Sequence, residues 1–254
     1  AVLRPGTAPA KKGTLGILRR VLPKVREAFP RARILVRLDA GFASPEIFEF
    51  LEEEGLEYVV AMGKNKVLER LCEEDLAEAR YWSEWAGRGW KIYGEGLYQA
   101  GSWHRERRVV YKAEVVCLGD KEPRDNPRFV ITNLKILPRN VYEKVYCRRG
   151  DVENRIKELK ESMAIGRTSC TRFWANQFRV LLTAAAYVLM QELRYSAAGT
   201  SFARAQAATL REHLLKIGVW AKESVRRIVL HLPEAYPYRE EWRRVATALG
   251  AKAG

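Results

Sequence analysis

The chain has 254 residues, 45 of them Lys or Arg and 31 Asp or Glu, which leaves a formal charge of +14 at pH 7. An apolar content of 47% supports a substantial buried core, and the excess of cations fits a polyanionic partner, although a ribosomal or RNA-binding protein would show the same balance. The scattered cysteines Cys72, Cys117, Cys147 and Cys170 and the isolated histidines His104, His213 and His231 have no metal-ligand spacing, which argues against a zinc site or a Cys/His nucleophile.

Residues 1–63 read as α/β. Ala1-Val2-Leu3 resembles the tail of a strand, and a helix is expected near 14–29 with Leu22, Val25 and Phe29 toward a core. The stretch ARILVRLDAGF (32–42) reads as a buried strand through Ile34, Leu35, Val36 and Leu38. Asp39 stands at its C-terminal end, where ligands usually bind in α/β sheets; taken alone, it could equally serve only its turn. Ser44 as N-cap and Pro45 at the first helical position open a helix over 45–54, and a strand follows at 56–62.

Gly63-Lys64-Asn65 marks a change of character. A polar helix over 66–79 gives way to a segment rich in aromatic and β-type residues, with Tyr81, Trp82, Trp85, Trp90, Tyr93, Tyr98, Trp103 and Tyr111 among Arg88, Lys91, Arg105, Arg107 and Arg108. RRVVYKAEVVCL (107–118) alternates like a strand, residues 121–127 form a loop, and RFVITNL (128–134) is a further strand. Aromatic rings beside cations can stack unpaired bases, but antiparallel strands use Trp and Tyr routinely for cross-strand packing. Trp90, between Gly87-Arg88-Gly89 and Lys91, is the candidate for base contact.

YCRRGDVENRIKELK (146–160) is the most informative stretch. On one α-helix Tyr146, Arg149, Glu153 and Lys160 fall within about 60° of one another, and an apolar stripe of Val152, Ile156, Leu159 and Met163 lies about 80° away. One face is thus expected in a core, while the next presents a carboxylate flanked by two cations and a phenol. An ordinary solvated helix face with weak ion pairs is the plain alternative.

Thr168 or Ser169 is a candidate cap for a long helix reaching about Arg194. Its Phe173, Trp174, Phe178, Leu181, Leu182, Tyr187, Val188 and Met190 are expected mostly in a core, with Arg172 and Arg179 as candidate phosphate contacts. LLKIGVWAKESVRRIVLHL reads as paired short strands and YREEWRRVATAL as a final helix. No apolar segment opens the chain as a secretory signal would, and the apolar run at 180–190 is too short to cross a bilayer. With the cysteine usage this points to a reducing, cytoplasmic setting and no membrane partner.

The pattern Tyr146-x2-Arg149-x3-Glu153-x6-Lys160, with RLDAGF, RRGDVENRIKELK and TSCTRFWANQFRVLL, resembles DDE transposases of the insertion-sequence-4-like superfamily, 1380-type group, from about residue 1 to 245. The resemblance implies an RNase H-like core interrupted by a β-rich insertion domain, with a helical C-terminal region. It divides the chain into core residues 1–63, insertion 64–128, core 129–195 and C-terminal region 196–254. It also implies catalysis by carboxylates that hold Mg²⁺, for which Mn²⁺ can substitute, in nicking and strand transfer on DNA by a self-associated synaptic complex.

Asp39 matches the family's second catalytic Asp and Glu153 its catalytic Glu, both as metal ligands. Tyr146, Arg149 and Lys160 match the rest of the signature as DNA contacts, and Arg155, Lys157 and Trp90 join them as candidates. The family's first Asp has no counterpart, since residues 1–38 hold one acid, Glu27, on an expected surface helix. The expectation is therefore a C-terminal portion of a longer transposase, inactive alone. The alternative is a basic DNA-binding remnant without chemistry.

Overall fold

Alternation in the strands determines the layering. In the computed structural model, which describes residues 1–119 and 121–251 and only the backbone of Arg149, successive residues of each central strand point to opposite faces of one mixed sheet. Tyr58 and Val60 of β2 (Glu57–Met62), Phe129 and Ile131 of β6 (Arg128–Thr132), and Val109, Tyr111, Ala113 and Val115 of β4 (Arg107–Val116) line one face. Against it pack α1 (Thr14–Ala28), α2 (Pro45–Glu53), α3 (Lys66–Leu71) and α4 (Glu73–Ala86), through residues including Leu22, Phe48, Leu51, Leu68 and Leu76. The intervening Val59, Val130 and Val110 form a second cluster with Leu134, Val141 and Tyr142 on the other face. All are fully or nearly fully buried.

The sheet runs β1-β2-β6-β4-β3, with β1 (Leu35–Leu38) parallel to β2 and the remaining neighbours antiparallel. β3 spans Trp90–Tyr98, and the short β5 (Arg124–Asp125) pairs with β4. Gly94 of β3 faces Tyr111, where any side chain would overlap the tyrosine ring. The ring instead reaches across to α4 and donates to Asp75 Oδ2 at 2.7 Å.

These strands give the expected α/β class, but residues 64–128 are not set apart. Their β3 and β4 continue the sheet that begins with β1 and β2, and residues 6–150 form one compact unit. The polar helix is also longer than expected. It breaks at Cys72 and resumes as α4 to Ala86, so Tyr81, Trp82 and Trp85 are helical rather than β-type. Three acids in the first turn of α4 suit its N-terminus, and Gly87 closes it in the left-handed conformation.

The second unit comprises residues 1–5 and 151–254. It holds α5 (Gly150–Glu161) from Asp151 onward, α6 (Phe173–Ser196), α7 (Ala207–Leu210) continued by a π-helical turn, a hairpin of β7 (Trp220–Ser224) and β8 (Arg227–His231), and α8 (Arg239–Ala248). Its core is small: Met190, Leu193, Ala197, Phe202, Ala207, Leu210, Leu214 and Val245.

Two expectations are corrected here. Of the residues placed in a core on α6, Met190 is buried, whereas Trp174, Phe178, Leu182 and Val188 are more than half exposed. On α5, Val152 and Ile156 are exposed, and the buried residue is Glu158. Periodicity marks an apolar face, but a face becomes core only where another element covers it. No helix among the described residues is long and apolar enough to cross a membrane.

Candidate active site

Asp39 follows the last residue of β1, where the extended chain gives way to a 3-10 turn over Ala40–Phe42. Its Oδ1 accepts from Gly41 N at 3.0 Å, so the carboxylate serves as the Asx cap of its own turn. The turn and the end of the neighbouring parallel strand β2 border an open cleft of about 660 Å³, lined by Asp39, Gly63, Lys64, Arg128, Tyr142 and Tyr146 among others. Asp39 is the acidic member of that lining, and Lys64 and Arg128 are its cations. Lys64 also lies 3.9 Å from Glu69, a weak exposed pair.

The phenols reach the cleft from an irregular helix. Residues Asn140–Tyr146 form π-helical turns and Cys147–Arg149 a 3-10 turn, before α5 begins at Gly150. Such bulged segments are frequent at functional sites. Arg37 of β1 donates to Val145 O at 3.0 Å and ties this segment to the strand that carries Asp39. Glu143 fastens it from the other side, accepting from Lys91, Tyr93 and Arg139 at 2.9 Å each. Those hydrogen bonds, from Lys91 first, hold the Glu143 carboxyl down to about 2. Tyr142 is buried with its ring 5.4 Å from that of Tyr146, and burial pushes its hydroxyl pKa well up, so Tyr142 stays neutral.

The single helix expected over 146–160 is thus corrected. The hydrogen-bond pattern changes twice along it, and the division between the units falls between Gly150 and Asp151. Tyr146 belongs with Asp39 in the first unit, while Glu153 and Lys160 belong to the second. Within α5, Glu153, Lys157 and Lys160 share one exposed stripe. Arg155 is committed elsewhere, 3.4 Å from Glu158 and 3.7 Å from Asp151, and Lys157 lies 3.9 Å from Glu161. The side chain of Arg149 lies outside the described residues. Trp90 is not part of the Asp39 cleft lining; its ring stacks on Trp82 at 5.9 Å with the Arg88 guanidinium 5.8 Å away.

Sequence reasoning missed Lys64, Arg128, Tyr142 and Arg37. Lys64 carried a signal, since it follows the end of the strand parallel to that of Asp39. Arg128 did not, because only the antiparallel register Met62↔Phe129 brings it to the cleft. Glu158 was missed as well. Its Oε1 accepts from Arg194 at 2.5 Å and from Ala207 N, and its Oε2 from Tyr187 at 2.7 Å.

The oxygen chemistry of Asp39 suits Mg²⁺ or Mn²⁺. One carboxylate is not a centre, however, and among the described residues no group of three or more His, Cys, Asp or Glu side chains is arranged to hold a metal ion. The sequence matches the family described as transposase DDE domain, group 1, over residues 1–253. No curated protein matches it.

Proposed function

The chain belongs to the family of group 1 transposase DDE domains, and from that membership we propose that it transposes DNA by metal-dependent nicking and strand transfer, on an RNase H-like core. The observation that carries the reading is the Asp39 cleft: a carboxylate at a strand end, with Lys64 and Arg128 beside it and the Tyr146 phenol of the signature at its wall. Asp39 and Glu153 are the residues that would hold the divalent ion, Mg²⁺ or Mn²⁺, which when bound neutralises charge on the scissile phosphate. Lys64 and Arg128 grip the flanking phosphates, and Tyr146 orients the strand. Arg149, Lys157 and Lys160 add contacts along the backbone, and Arg155 and Trp90 are further candidates for DNA contact. Phosphoryl transfer asks the protein mainly for positioning and charge neutralisation, and this set supplies both. Self-association would bring two DNA ends together.

The test incubates the protein with Mg²⁺ or Mn²⁺ and duplex DNA carrying the repeats that flank its coding sequence. Cleavage is expected when the residues that supply the family's first Asp are present, and Asp39→Asn or Glu153→Gln should each abolish it while leaving DNA binding intact. Cleavage that survived both substitutions would sink the assignment. Binding without cleavage by the unsubstituted protein would favour a non-catalytic DNA-binding role.

A further inference from the structure

The β7–β8 hairpin presents a basic ribbon face in search of a partner. Every residue of β7 is exposed, and in β8 only Val229 is partly covered. Trp220 and Ile228 are each 66% exposed, and Val225 at the tip is fully so. A two-stranded hairpin that covers so little of itself is marginal in water, and this one leaves an exposed face open to a partner.

The register shows what that face carries. Trp220 pairs with His231, Lys222 with Val229 and Ser224 with Arg227, and these alternate residues share one face. Glu223, the acid of the two strands, pairs with Ile228 on the opposite face together with Ala221 and Leu230. Arg226 sits in the turn between the strands. One face therefore carries Lys222, Arg227 and the Trp220–His231 ring pair, 5.0 Å apart, with no carboxylate. Beside the hairpin a groove of about 620 Å³ is lined by His231, Arg239, Arg243 and Trp242, with Glu234 as its acid.

We propose that this face of the β7–β8 hairpin is a DNA-docking ribbon, separate from the Asp39 cleft, that lies on duplex DNA through Lys222, Arg226 and Arg227. A two-stranded β-ribbon fits the major groove, and an acid-free basic face meets phosphates without repulsion. The choice of DNA as partner rests on the transposase reading.

The experiment measures binding of the full protein to a 30-base-pair duplex (about three helical turns) by fluorescence anisotropy between 50 and 200 mM salt. The variant K222S/R226S/R227S is compared with R20S/K24S/R31S, which removes the same charge from exposed positions of the first unit. Loss of three phosphate contacts should lower the salt slope by about 2.7 and weaken binding at least about tenfold at 100 mM salt. The control should shift far less, and both variants should keep the parent melting temperature because the positions are exposed. If the hairpin variant binds no more weakly than the control, the inference is overturned and the transposase reading stands. If the unsubstituted protein shows no salt-dependent binding at all, both fall.

Discussion

Replacing Glu158 by Ala removes one partner of a buried ion pair and should destabilise the second unit severely. The Glu158 and Arg194 side chains are 4% and 8% exposed, with N and O 2.5 Å apart. The same carboxylate accepts from Tyr187 and from the backbone amide of Ala207 at the start of α7. Leaving Arg194 charged and unpaired costs about 3–5 kcal/mol, which for a unit of this size lowers its Tm by roughly 13–22 °C. The loss should be local. Hydrogen exchange read by mass spectrometry should lose protection in peptides covering α5, α6 and α7 while the β1–β6 sheet keeps its own. The pair Glu158→Met/Arg194→Met should recover much of the loss, because two apolar side chains avoid the stranded charge.

A pH series adds an independent check. Burial by itself would raise the Glu158 carboxyl, but hydrogen bonds from Tyr187 and Ala207 and the charge of Arg194 outweigh it and hold the group below its ordinary value. A depressed folded pKa contributes stability that is complete above the unfolded value, near 4.5, and lost as pH falls through the folded one. Glu158→Gln should therefore flatten the acid limb of the stability curve. A loss below about 1 kcal/mol on Glu158→Ala would refute the reasoning, as would a double variant no more stable than the single.

In the first unit, Glu52 is held down to about 2: burial opposes ionisation, but hydrogen bonds from Arg107, Arg105 and Tyr58 prevail. Its contribution should vanish as pH falls from about 4.5 toward 2, so Tm against pH should be flatter in Glu52→Gln. Phe48 is fully buried with its ring 5.1 Å from that of Trp103; Phe48→Ala should cost about 3–5 kcal/mol in denaturant unfolding. Asn65 caps α3 by accepting from Val67 N and Leu68 N at 3.0 Å, and Asn65→Ala should cost about 1 kcal/mol by the same measure. Lys64→Ala with Arg128→Ala should lower the salt slope of DNA binding by about 1.8; an unchanged slope would remove both cations from the proposed site.

Much of the local structure was legible because it depends on neighbours in sequence. Pro45 began α2 as expected, and Ser44 stands at its N-cap position, although its side chain makes no capping hydrogen bond. The alternation of residues 107–118 gave β4, and the paired strands near the C-terminus gave the hairpin. Asp39 was placed at a strand end by the same short-range signals.

Glu158 looked like one more acid on a charged helix. It is buried because Tyr187, Arg194 and Ala207, 29 to 49 residues away in sequence, converge on it. The α6 face looked like core because spacing records which residues are apolar, not whether a neighbour covers them. Arg128 reached the cleft only through strand register. By itself the sequence determined the elements, the carboxylates worth asking about and the family, since these follow from backbone preference, side-chain period and motif spacing. The tertiary structure decided which sheet the aromatic strands join, which acid is buried, and that Asp39 and Glu153 belong to separate units, since burial and pairing depend on partners far away in the chain.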